Sequence, residues 1–110
     1  EAKTQLKIQE MQLESLKLSK QKEDEILILQ YNEAKQNLEK NKSIYTLQQK
    51  NDQHTENKYN SGIISLDDRL SKYTDLLSVQ YQYLQSLADF SLSQYKILIR
   101  QIDYQQNISK

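Results

Sequence analysis

Residues Lys58–Leu70 read KYNSGIISLDDRL, and they hold the only glycine of a 110-residue chain that contains no proline. Helical periodicity runs up to this stretch and resumes after it. Glycine takes a left-handed backbone conformation at little steric cost, and Gly and Pro are the residues that interrupt helix interiors. Gly62 is therefore the one obvious place for the chain to reverse, and two antiparallel helices joined there are the first expectation. Ser65 is placed to cap the second helix, with Asp67 and Asp68 in its first turn, where the positive end of the helix dipole favours carboxylates. The pattern predicts a first helix over residues 1–58, a turn over 59–65, a second helix over 66–106 and a short tail at 107–110.

Beyond the turn the apolar spacing is regular. Leu76, Tyr83, Phe90, Ile97 and Tyr104 recur at seven-residue intervals, and Val79, Ser86 and Ser93 follow the first three of them by three residues. That alternation of large and small side chains is a coiled-coil seam. A second stripe, displaced by about one residue around the helix, runs through Leu66, Leu70, Tyr73, Leu77, Leu84, Leu87 and Leu98. Two apolar stripes imply two packing neighbours. A lone hairpin needs one narrow seam, whereas a helix in a closed ring, or in a three- or four-helix bundle, buries a broader face.

Before the turn the signal is weaker. Leu27, Tyr31, Ala34, Leu38 and Tyr45 keep the alternating spacing, but Asn41, Gln48 and Asp52 fall where the same seam is expected to be apolar. Residues 48–58 are almost wholly polar, so that part is either solvated or held by side chains of its neighbour. Leu6 and Leu13, and Met11 and Leu18, each show a heptad spacing, and the break at residues 19–25 is a place for the stripe to shift or bend. At ~1.5 Å per residue the first helix rises about 87 Å and the second about 60 Å. Residues before about Glu14 thus have no partner within the chain, and are expected to fray, bend or pair elsewhere.

Composition narrows the function classes. Charged residues make up 27% of the chain, with 15 basic and 15 acidic side chains balancing to a net charge of zero. No basic stripe offers itself to nucleic acid. There is no cysteine to form a disulfide or a thiolate metal site. The longest apolar run, Ile26–Leu29, is far short of the ~20 residues of a membrane helix. The chain begins mid-pattern at Glu1, as a segment of a longer protein would.

Little in the sequence suggests bond chemistry. His54 is the sole histidine and stands among Gln, Asn and Lys. A nucleophile, a base and an orienting group converging in a pocket are not in prospect on two polar helices. The Glu23-Asp24-Glu25 run reads as a solvated face, since no loop is present to wrap oxygen ligands round a cation. No catalytic residue, metal or cofactor is expected. Tyr73, Tyr81, Tyr83 and Tyr95 read as ordinary packing rings, with hydroxyls reaching water as the functional alternative.

The register as a whole resembles the TolC-like outer membrane efflux proteins. The matching pattern is Tyr59-x-x-Gly62-x-x-Ser65, then Asp68-x-Leu70, Leu76, Val79, Tyr83, Ser86, Asp89-Phe90, Ser93 and Ile97. It covers Tyr59 to about Ile99 well, and the first arm only by place and length. The resemblance implies an all-α antiparallel coiled-coil hairpin that forms part of a trimeric α-helical barrel in the full-length protein. It would lie in the periplasm, below a β-barrel in the cell outer membrane, with a periplasmic adaptor and an inner-membrane transporter as partners. The resemblance makes Tyr59, Gly62, Ile63, Ile64 and Ser65 the docking tip, and Asp67 and Asp68 the acidic lining of the entrance. Leu70, Leu76, Val79, Tyr83, Ser86, Phe90, Ser93 and Ile97 become its packing seam.

The chain departs from the family at several points. Ile64 stands where an arginine is found, and Ser71 where a second aspartate is found, so the cross-links and double acidic ring of that entrance are not reproduced. Gln48, Asp52 and His54 stand near the tip where the family tends to place Ala and Leu. Two other readings remain. A periplasmic adaptor hairpin carries Arg, Leu and Ser at seven-residue steps, of which Arg69 and Leu76 fit and Tyr83 does not. A structural coiled-coil scaffold needs neither the glycine tip nor the large and small register.

Overall fold

The computed structural model describes residues 2–109, and side chains from Lys3 to Gln106. Two helices account for nearly all of it: α1 (Ala2–Asn60, 59 residues) and α2 (Leu66–Ser109, 44 residues). They lie antiparallel as a hairpin 89 Å long, 25 Å wide and 15 Å deep. The long dimension is that of α1 itself, at ~1.5 Å per residue. α1 runs two residues past its expected end, so Tyr59 and Asn60 belong to the helix, and α2 continues to Ser109 through most of the expected tail. Glu1 and Lys110, the ends of the expected first helix and tail, lie outside the described residues.

The turn is built by backbone hydrogen bonds. Ile63 N–H donates to Lys58 C=O at 2.9 Å and Gly62 N–H to Tyr59 C=O at 3.0 Å, which together satisfy the last carbonyls of α1 in a Schellman arrangement. Gly62 carries the positive φ of 76° that this closure requires. On the far side, Ser65 Oγ accepts from Asp68 N–H at 3.2 Å and Ser65 C=O from Arg69 N–H at 3.1 Å, so α2 starts from a capped end. Space is open around Gly62, and a Cβ added there would meet nothing within 4 Å. Gly62→Ala is therefore expected to cost about 1 kcal/mol through backbone conformation alone. Gly62→Asn should cost less, because Asn tolerates the left-handed region. Urea unfolding of the three proteins measures the order Gly, Asn, Ala.

Between the helices the seam keeps heptad spacing from end to end. On α1 the half-buried positions are Lys20, Asp24, Leu27, Tyr31, Ala34, Leu38, Asn41, Tyr45, Gln48, Asp52 and Thr55, with Ile44 beside them. On α2 the seam runs from Arg69 through Leu76, Val79, Tyr83, Ser86, Phe90, Ser93 and Ile97 to Arg100. Among the described residues only Ser86 and Ser93 are buried outright, at 7% and 8% exposure, and no apolar side chain is. Small side chains let the rods approach, and the rings fill in beside them. Tyr31 packs on Phe90 with centroids 5.2 Å apart, and Tyr45 on Tyr83 at 5.5 Å.

Two expectations need correction. The resemblance puts Leu70 in the packing seam, but it is 52% exposed, in the second stripe where its spacing places it, and Arg69, one residue earlier, faces α1 instead. Of the four tyrosines read as packing rings only Tyr83 is in the seam, while Tyr73, Tyr81 and Tyr95 are exposed. The first helix runs unbroken through residues 19–25 and back to Ala2, in line with the continuous span expected for it. From Lys3 to Ser19 every side chain is exposed, since α2 does not reach alongside.

Candidate functional site

Three surfaces have features beyond those a hairpin needs: the tip, the polar clasps in the seam, and the outward stripe of α2. At the tip Tyr59 is 38% exposed and Ile63 is 71% exposed, while Ile64 is half-buried and Gly62 and Ser65 are exposed. A Schellman turn usually tucks its following apolar residue against the preceding helix, yet Ile63 projects into solvent. Asp67 and Asp68 are both exposed in the first turn of α2. Their position favours the helix dipole whatever else they do. His54 is exposed beside a shallow polar groove with Asn51, Lys58, Lys72 and Asp75.

Polar residues in the seam of α1 are held by the neighbouring helix. Asn41 donates from Nδ2 to Ser86 Oγ, and Ser86 Oγ in turn donates to Gln82 C=O at 3.0 Å. Asp52 receives both arms of the Arg69 guanidinium, Nη1 at 2.5 Å and Nη2 at 3.3 Å. That fork geometry suits a carboxylate, and its hydrogen bonds to Asp52 hold the Arg69 proton more tightly than usual. Arg69 also sits over the Tyr73 ring, 5.7 Å from its centroid.

At the opposite end Asp24 accepts from Arg100 Nε at 2.7 Å and from the Tyr104 hydroxyl. Arg100 reaches Glu23 as well, at 3.3 Å, and stacks over the Tyr104 ring at 5.3 Å. The Glu23-Asp24-Glu25 run is thus only partly a solvated face. Asp24 and Asp52 stand at equivalent heptad positions, which is the signal that could have marked them: an acid recurring in register inside a seam wants a cation opposite.

The Asp24 clasp makes the hairpin sensitive to pH at both extremes. The Tyr104 hydroxyl, then Arg100, hold the Asp24 carboxyl below the usual carboxylate range. Its contribution to stability is complete above the unfolded value of about 3.9 and is lost as pH falls through the lower folded value. The same hydrogen bond raises the Tyr104 phenol above its ordinary value. That contribution is complete below about 10 and is lost as pH rises through the raised folded value. Melting temperature against pH is expected to fall at each end, and Asp24→Asn should flatten both limbs.

The outward stripe of α2 is left uncovered by α1. Leu66, Leu70, Tyr73, Leu77, Leu84, Leu87 and Leu98 are between 42% and 53% exposed. Total accessible surface is 9176 Å², where a globular monomer of this mass would expose about 6,400 Å². The chain keeps open a surface that a self-contained fold would cover.

No family model, curated protein or solved structure matches the chain. What can be said of its role therefore comes from its own surfaces. Among the described residues no three His, Asp or Glu side chains gather as metal ligands would, and no helix is long and apolar enough to cross a membrane.

Proposed function

We propose that this hairpin is the tunnel-forming and adaptor-docking segment of a TolC-like outer membrane efflux channel, standing in the periplasm and trimeric in the full-length protein. The observation that carries the reading is the second stripe of α2. It keeps strict heptad spacing and stays open when the hairpin's own seam is closed. A helix with two seams about one residue apart belongs between two neighbours, as the staves of a closed ring do. The mechanism is conduction and docking, without bond chemistry. The exposed tip, Tyr59 to Ser65, meets a periplasmic adaptor coupled to an inner-membrane transporter, and sliding of the packed tips opens the entrance.

Asp67 and Asp68 would then recur three times about that entrance, forming a negative ring that draws cations and hinders anions. Single-channel conductance of the full-length protein tests this directly. Asp68→Asn is expected to lower cation preference, and an unchanged preference removes Asp68 from the gate. For the reading as a whole, a photoreactive residue in place of Ile63 should capture an adaptor in intact cells. Export that survives a disrupted tip, with no capture, would refute it. The adaptor alternative is less well supported, because Tyr83 stands where its seven-residue pattern has Ser, and Arg69, which does fit, is committed to Asp52 within the hairpin with 15% of its side chain exposed.

A further inference from the structure

We infer that the 110-residue chain, by itself, pairs with a second copy through α2 against α2, stripe on stripe. The occupant follows from what each helix offers on its outward side. Positions Leu66, Leu70, Tyr73, Leu77, Leu84, Leu87 and Leu98 are apolar, and the intervening stripe positions are Gln80, Ser91 and Gln94, so no charge interrupts the row. The flanks of α1 next to its own seam differ. One carries Asn32, Lys35, Glu39 and Lys42, and the other Glu33, Asn37 and Lys40. Seating the apolar row of α2 on either flank would strip water from lysine and glutamate without a partner. Among the described residues another α2 alone presents an apolar row of equal length and repeat, since the exposed apolar side chains of α1 lie mainly in two short clusters, residues 6–18 and 26–29.

The area is sufficient. With roughly half of each side chain facing water, the row contributes on the order of 600 Å² per copy, so a pair buries ~1,200 Å², the lower bound of stable specific interfaces. Tyr81 and Tyr95, at 67% and 59% exposure, border the row on the side away from α1 and would join the rim. Aromatic side chains of this kind are enriched at interfaces between chains. Two hairpins joined this way form a four-helix layer with both α1 helices outermost, leaving their lysines and glutamates in water.

Sedimentation equilibrium of the 110-residue chain at tens of micromolar tests the pairing. A mass twice the 13.1 kDa of one chain is expected. Leu77→Glu and Leu84→Glu should each weaken it by roughly thirtyfold or more, the scale of an interface hot spot. Both side chains are exposed in the hairpin, at 45% and 53%, so circular dichroism should show helix content unchanged. Asn37→Glu, on the flank of α1, should leave the dimer intact. A monomer or a trimer as the wild-type mass overturns the inference. So does a dimer that survives both leucine substitutions or is lost with Asn37→Glu.

Discussion

Phe90→Ala should lower the stability of the hairpin by about 2 kcal/mol, roughly half of what a fully enclosed phenylalanine loses. The reduction reflects partial burial, since Phe90 is half-buried with no second layer outside it. Its weight comes from position. Phe90 stands midway between Ser86 and Ser93, the two most enclosed of the described side chains, and its ring lies 5.2 Å from that of Tyr31. Removing the ring forfeits the aromatic pair and opens a gap that two long rods cannot collapse locally without bending. Because no apolar side chain among the described residues is fully buried, the total stability is small, and a loss of this size is a large share of it. In urea the midpoint should fall with little change of slope. Tyr81→Ala, which removes a ring that is 67% exposed, should shift stability by no more than about 0.5 kcal/mol. Equal losses for the two variants would show that the seam does not hold the hairpin.

Parts of this architecture were legible in the residues and parts were not, for physical reasons. The reversal at Gly62 was readable because a chain with one glycine and no proline has few other ways to turn. The seam of α2 was readable because Tyr83, Ser86, Phe90 and Ser93 alternate in size at heptad spacing. Leu70 lies in the outward stripe, where its spacing puts it and not in the seam the resemblance implies. Spacing does not mark Arg69, adjacent on the helix and about 100° away, as the residue that faces α1. What decides between them is Asp52 across the seam, and a cross-helix partner follows only once the tight turn has set the register. The same holds for Asp24, whose acidic neighbours Glu23 and Glu25 suggest a solvated face until Arg100 and Tyr104 come alongside. As for the candidate docking surface, the sequence marked its apolar row, while the degree to which the row stays open depends on where the hairpin's own seam falls.

Arg69→Asp should open the tip-proximal third of the hairpin while the rest stays closed. In the native protein the guanidinium of Arg69 reaches two oxygens of Asp52, and only 15% and 16% of the two side chains are exposed. An aspartate there places two carboxylates across a partly dry seam with no cation between them, and like charges at that spacing repel with little screening. Nothing apolar nearby compensates, since α1 offers Gln48, Asp52 and Thr55 over this stretch. The helices are therefore expected to part from the tip as far as Leu76. Amide exchange there should rise by about tenfold or more, with the segment around Tyr31 and Phe90 protected as before. Asp52→Arg combined with Arg69→Asp restores opposite charges at the same two positions, and should recover most of the protection. Recovery in the exchanged pair separates a specific ion pair from mere tolerance of charge in the seam, because composition and net charge match the native protein while only the direction of the pair is reversed. If the pair fails to recover, the fork geometry of arginine on α2, and the Tyr73 ring beneath it, matter more than the opposition of charge.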